Sequence, residues 1–190
     1  MKTPYRFVAL LSTVALAVGA TTAFAHGGGG GGDHHGKGHG HHHGGTILRS
    51  GLVGSTPLTA TPPGPTLFGV PPAGAPWVVA SSKVRIRDDR VRVRAKGLLL
   101  INTGNPALDG TIGPVRMVVA AVFCNDTQDG TAAFTSAPVP LDPDGDFRVD
   151  EKNVTLPSPC LAPGVLVRIA ATATAPTPVT NGPYIAANGG

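Results

Sequence analysis

The sequence is 190 residues long, with 15 Lys and Arg against 11 Asp and Glu, 41% hydrophobic residues, 5% aromatic residues, 27 glycines and 19 prolines. A formal charge of +4, part of it from Lys2 and Arg6 at the extreme N-terminus, is too small to indicate a polyanion partner by itself. The scarcity of aromatics argues against a sequence-reading nucleic-acid binder, which interleaves stacking side chains with its cations.

Residues 1–25 combine a short cationic start, an apolar run from Phe7 to about Ala20, and small residues at Ala23 and Ala25. This is the pattern of a secretory signal peptide with an A-x-A cleavage site. The apolar run is shorter than the roughly 20 residues a membrane span needs, and nothing later approaches that length, so no transmembrane segment is expected once the signal is removed. The expected location is secreted and extracellular.

Residues 26–50 begin with HGGGGGGDHHGKGHGHHHGG, which contains all seven histidines. So glycine-rich and apolar-poor a stretch cannot form a packed core and is expected to be a disordered tail. Neutral imidazole is a ligand for zinc, nickel or copper, so His34, His35, His39, His41, His42 and His43 are the candidate metal ligands. Residues 51–76, rich in Pro and Thr, read as a semi-extended linker, with Leu67, Phe68 and Val70 available for partial docking.

From Trp77 onward the pattern changes to short β-branched and apolar runs separated by Gly, Pro, Asn and Asp, without a 3.6-residue period. Candidate strands are 77–87, 90–101, 115–124, 131–137, 146–156, 165–174 and a short 183–187. About seven short strands in residues 77–190 is the signature of an all-β fold, an antiparallel immunoglobulin-like β-sandwich. Cys124 and Cys160 are the only cysteines, and an even count in an exported chain favours one disulfide over a metal site or a reactive thiol. Cys124 closes the third candidate strand and Cys160 lies just before the sixth. In the expected fold those strands are antiparallel neighbours, so the bridge would staple the end of one to the start of the other.

The stretch KVRIRDDRVRVRAK, residues 83–96, holds seven of the 15 Lys and Arg in 14 positions. Its apolar residues are even-numbered before Asp88 (Val84, Ile86) and odd-numbered after Asp89 (Val91, Val93, Ala95). A two-residue turn at Asp88-Asp89 would therefore pair Arg87 with Arg90, Ile86 with Val91, Arg85 with Arg92, Val84 with Val93 and Lys83 with Arg94. One face packs on a core; the other carries Lys83, Arg85, Arg87, Arg90, Arg92 and Arg94 as the candidate anion-binding residues. Like charges opposed at about 5 Å in water cost about 0.8 kcal/mol per pair before screening, so the arrangement is tolerable without any ligand. The acids Asp146, Asp150 and Glu151 on the fifth candidate strand are an internal alternative to an external anion.

LDPDGDFRVDE, residues 141–151, offers Asp142, Asp144 and Asp146 as calcium ligands, although it lacks the glycine and the terminal glutamate of an EF-hand loop, and Pro-Asp-Gly is itself a strong turn signal. Asn125 and Asn153 match the glycosylation pattern N-x-T. No histidine follows His43 and no free thiol is expected, so Ser-His-Asp and Cys-His catalysis are unsupported. The sequence therefore points to a secreted non-enzymatic protein without a required cofactor. Its expected role is a binding or envelope-associated structural module, whose partner is an anionic envelope polymer or another exported protein rather than a specific nucleic acid. Metal handling by the His-rich tail is the alternative.

Overall fold

A computed structural model describes residues 45–87, 89–170 and 181–188. The expected signal peptide, all seven histidines, Asp88 and residues 171–180, which include the end of the sixth expected strand, lie outside the described residues.

Ten strands and no helix are present among the described residues. They are β1 (Thr46–Ser50), β2 (Leu52–Gly54), β3 (Trp77–Arg87), β4 (Arg90–Leu100), β5 (Met117–Phe123), β6 (Phe134–Thr135), β7 (Val139–Pro140), β8 (Phe147–Lys152), β9 (Gly164–Ile169) and β10 (Tyr184–Asn188). They form two antiparallel sheets, one of four strands in the order β1-β3-β4-β8, the other in the order β2-β10-β9-β5-β6 with β7 also on β5. Each of the seven expected strands overlaps one of these, and β1, β2 and β7 are additional.

The two sheets share one buried core. Val84, Ile86, Val91, Val93 and Val149 from the four-stranded sheet pack with Val118, Ala120, Val122, Val165, Val167 and Ile185 from the other. The alternation that puts these residues on one face is strict in the distal half of the β3–β4 hairpin and reverses near its base. Ala95, Leu98 and Leu100 are all buried, so the inward parity of β4 changes between Ala95 and Leu98. Gly97, with φ of +62°, occupies that change, a backbone angle that disfavours any other residue. The turn before β8 docks on the same break: the Gly97 amide donates to Asp146 Oδ1 at 3.0 Å and the Leu98 amide to the Gly145 carbonyl at 2.9 Å.

The folded unit starts well before Trp77. The last residues of the stretch expected to be a disordered tail form β1, antiparallel to β3, and the stretch expected to be a linker contributes β2, antiparallel to β10. Both strands are short and pair with partners remote in sequence, so no local alternation announces them. While Ala73 joins the core between the sheets, the middle of the linker, around Leu67–Val70, lies on the outer face of the six-stranded sheet. Val70 is buried there with Ala121, Phe123, Leu166 and Tyr184, with Leu67 and Phe68 packed alongside. The Phe68 ring stacks on Phe123 at 4.7 Å between centroids, and the Tyr184 hydroxyl donates to the Pro65 carbonyl at 2.6 Å. Docking through Leu67, Phe68 and Val70 thus covers a face that the continuous apolar run of β5 requires to be dry.

Cys124 and Cys160 form a disulfide. It lies just past the Phe123↔Gly164 end of the β5–β9 pair, joining the end of one strand to the approach of its antiparallel neighbour as the spacing predicted.

Candidate anion-binding face

The predicted hairpin register is present in full: Lys83↔Arg94, Val84↔Val93, Arg85↔Arg92, Ile86↔Val91 and Arg87↔Arg90. Val84, Ile86, Val91 and Val93 are essentially inaccessible, which fixes the parity, because a one-residue slip would bury the arginines instead.

The flanking strands enlarge the basic face beyond the hairpin. On one side β1 sets Arg49 opposite Arg85. On the other, β8 sets Arg148 opposite Arg94, Asp150 opposite Arg92 and Lys152 opposite Arg90. The outward face of the four-stranded sheet therefore carries ten cations, one from β1, three from β3, four from β4 including Lys96, and two from β8. Arg49, Lys96, Arg148 and Lys152 were not among the sequence candidates. Their signal is the same parity rule: in FRVDEK, Phe147 and Val149 point inward, which sends Arg148, Asp150 and Lys152 outward.

Of the three acids considered as internal partners, only Asp150 meets the basic residues. Its carboxylate accepts from Arg90 Nε at 2.7 Å and Arg90 Nη2 at 2.9 Å, a bidentate pair, from Arg92 Nε at 3.0 Å, and from Arg148 Nη2 at 3.1 Å. These partners, Arg90 foremost, hold its carboxyl well below the usual carboxylate range, and the same hydrogen bond raises Arg90. Glu151 instead accepts the Ala137 amide at 3.1 Å, and Asp146 is engaged with the Gly97 amide.

One carboxylate shared by three arginines leaves most of the face uncompensated. Among the described residues the side chains of Arg49, Lys83, Arg85, Arg87 and Arg94 make no hydrogen bond or ion pair. Arg85 lies below its ordinary pKa, chiefly through the charge of Arg87, then through burial, then through Arg49 and Arg92. Its Nε is buried without a hydrogen-bond partner. Three depressions run along the face. The smallest lies among Arg85, Arg87, Arg90 and Arg92; the next, of about 160 Å³, lies among Lys83, Arg85, Arg92, Arg94 and Arg148. The third is an open groove of about 710 Å³ bounded by Ser81, Lys83, Arg94, Lys96, Asp142, Asp146 and Arg148. The groove shares Lys83, Arg94 and Arg148 with the middle depression and reaches past the sheet to Val139 and Pro140 of β7, and the middle depression shares Arg85 and Arg92 with the smallest.

The other candidate sites are less organised. Asp142, Asp144 and Asp146 surround a tight turn in which the Gly145 amide donates to the Asp142 carbonyl at 2.8 Å and the Asp142 amide to the Asp146 carbonyl at 3.0 Å. Among the described residues no three His, Cys, Asp or Glu side chains gather into a group able to hold a metal ion. His34, His35, His39, His41, His42 and His43 lie outside the described residues. Asn125 spends its side-chain oxygen on the Leu161 amide at 3.0 Å, beside the disulfide.

Comparison with family models, with curated proteins and with solved structures finds no match to this chain.

Proposed function

We propose that this chain is an exported, non-enzymatic binding module that holds an anionic polymer of the cell envelope against its four-stranded sheet. The observation that carries this reading is the outward face itself, where ten aligned cations meet one shared carboxylate. A polymer laid across such a face releases its own counterions and those of the protein, so binding is favourable and strongly salt-dependent. The strands of this face bring no aromatic side chain outward beside the cations, which favours recognition of charge over recognition of bases.

The finer fold belongs to the same proposal. Neighbours β3-β4-β8 in one sheet and β10-β9-β5 in the other follow the A-B-E and G-F-C adjacency of an immunoglobulin-like β-sandwich. Such a frame presents flat sheet faces, a suitable platform for an extended ligand.

The test is retention of the protein on its own cell-envelope fraction at low and high salt, with and without chelator. Retention at about 50 mM salt that is lost by about 500 mM, and that weakens when Arg85, Arg92 and Arg94 are together replaced by Ser, supports the reading. Unchanged retention of that triple variant overturns it. Retention abolished by chelator would move the function to the histidine-rich tail.

A further inference from the structure

The three depressions are not alike, and the middle one has the composition of a discrete site. Same-face neighbours across adjacent strands lie about 4.7–4.9 Å apart, and successive same-face residues along a strand about 6.6–6.8 Å apart. Asp150 shows what this lattice does with an anion: it draws guanidinium groups from three rows of the sheet, Arg92 beside it, Arg90 from the row on one side and Arg148 from the row on the other. The next row, Lys83, Arg94 and Arg148, repeats the three-strand alignment with cations only.

We propose that the depression bounded by Lys83, Arg85, Arg92, Arg94 and Arg148 is the seat of one tetrahedral oxyanion, a phosphate or sulfate ester group carried by the polymer. This inference rests on the polyanion reading above and assigns that reading its ligand chemistry. The depression of about 160 Å³ is large enough to admit a phosphate or sulfate group. Lys83, Arg85 and Arg94 bring side-chain donors with no partner among the described residues, and the terminal N–H groups of the two arginine forks are the ones an oxyanion would use. Arg92 and Arg148 each give Asp150 a single N–H, so the rest of each five-donor fork remains available. Donors converge from three strands and two rows. Three or four tetrahedrally placed oxygens can use them together, whereas a carboxylate presents two oxygens in one plane.

The experiment is a titration of the intact protein with sodium sulfate, sodium phosphate and sodium acetate at constant ionic strength, followed by backbone amide NMR shifts. Saturable shifts at residues 83, 85, 94 and 148 with sulfate or phosphate, and not with acetate, are expected. Arg94→Gln should weaken that binding at least tenfold. Arg87→Gln removes the same charge at the hairpin tip, outside the depression, and should weaken it less than threefold. Lys83→Gln serves in place of Arg94→Gln if that variant fails to show the wild-type spectrum. Shifts that never saturate, or equal losses in the two arginine variants, overturn the discrete site.

Retention on polyphosphate and on dextran sulfate, run alongside, separates the two possible failures. Polymers retained by the wild type and weakened equally in both variants leave the polyanion reading standing and sink the seat. Polymers not retained at low salt sink the polyanion reading itself. A preference between the two polymers assigns the ester.

Discussion

The two sheets treat their outer faces in opposite ways. The six-stranded sheet is apolar on both sides, and its outer side is sealed by the chain's own proline-rich segment, with Phe68 on Phe123 and Tyr184 bonded to Pro65. The four-stranded sheet is apolar on one side only, and its outer side is left to arginine and lysine, with Asp150 the one carboxylate ion-paired to them among the described residues. Where a face is apolar, the fold must cover it; where it is charged, water is an adequate partner and a ligand a better one. Changes on the sealed side should therefore act on stability, and changes on the bare side on binding.

The largest effect belongs to the sealed sheet. Replacing Cys124 and Cys160 together with Ser opens a loop of 36 residues and should cost about 4 kcal/mol, read as a lower urea midpoint. Retention on a polyanion under folding conditions should not change. Next comes Phe68→Ala, which removes the ring that stacks on Phe123 from a half-buried position. A loss of about 2–3 kcal/mol is expected, below the range for a fully buried phenylalanine, again with polymer retention preserved. If either variant lost binding while still folded, the division of labour between the sheets would be wrong.

Asp150→Asn tests the bare side and should move both properties. Freeing Arg90, Arg92 and Arg148 should carry retention on polyanions to higher salt. Because the Asp150 carboxyl is depressed in the folded protein, its stabilisation is fully present above the unfolded value of about 3.9 and is lost as pH falls through the lower folded value. The stability difference between wild type and Asp150→Asn should thus favour wild type at pH 7 and shrink below about pH 4, as measured by denaturant unfolding across pH. The smallest effect is expected at the hairpin tip. Arg87→Ser relieves a cation opposite Arg90 and beside Arg85, and stability should change by less than about 0.5 kcal/mol, in the stabilising direction. A larger loss would mean that Arg87 makes a contribution beyond its charge.

Parity made the β3–β4 hairpin legible from sequence, because Val84, Ile86, Val91 and Val93 leave one register in which apolar meets apolar. The disulfide was legible for a similar reason, two cysteines at matching ends of neighbouring strands. The strands β1 and β2 were not, since Thr46–Ser50 and Leu52–Gly54 are held by pairing with β3 and β10 rather than by any pattern of their own. The parity change at Gly97 was also missed, because Leu98, Leu99 and Leu100 look alike in sequence and only the docking of Gly145 and Asp146 decides which of them face inward. For the site, the hairpin supplied six of the ten cations in advance. Lys96 follows from the same alternation one step past Ala95, whereas Arg49, Arg148 and Lys152 depend on which strands flank the hairpin, and that is a property of the sheet order.

One feature of the N-terminal strands reaches beyond either face. The chain passes from β1 to β2 through Gly51 alone, leaving the rim of one sheet and joining the rim of the other, with the Leu52 amide held by Ser82 Oγ at 2.6 Å. A single nine-residue stretch, Thr46 to Gly54, therefore caps the open backbone of β3 and of β10 at once. Exposed strand rims are templates for pairing with another copy of the chain. Losing this stretch would uncover the rims of β3 and β10 in one step, so the two sheets depend on one short segment for their shared margin.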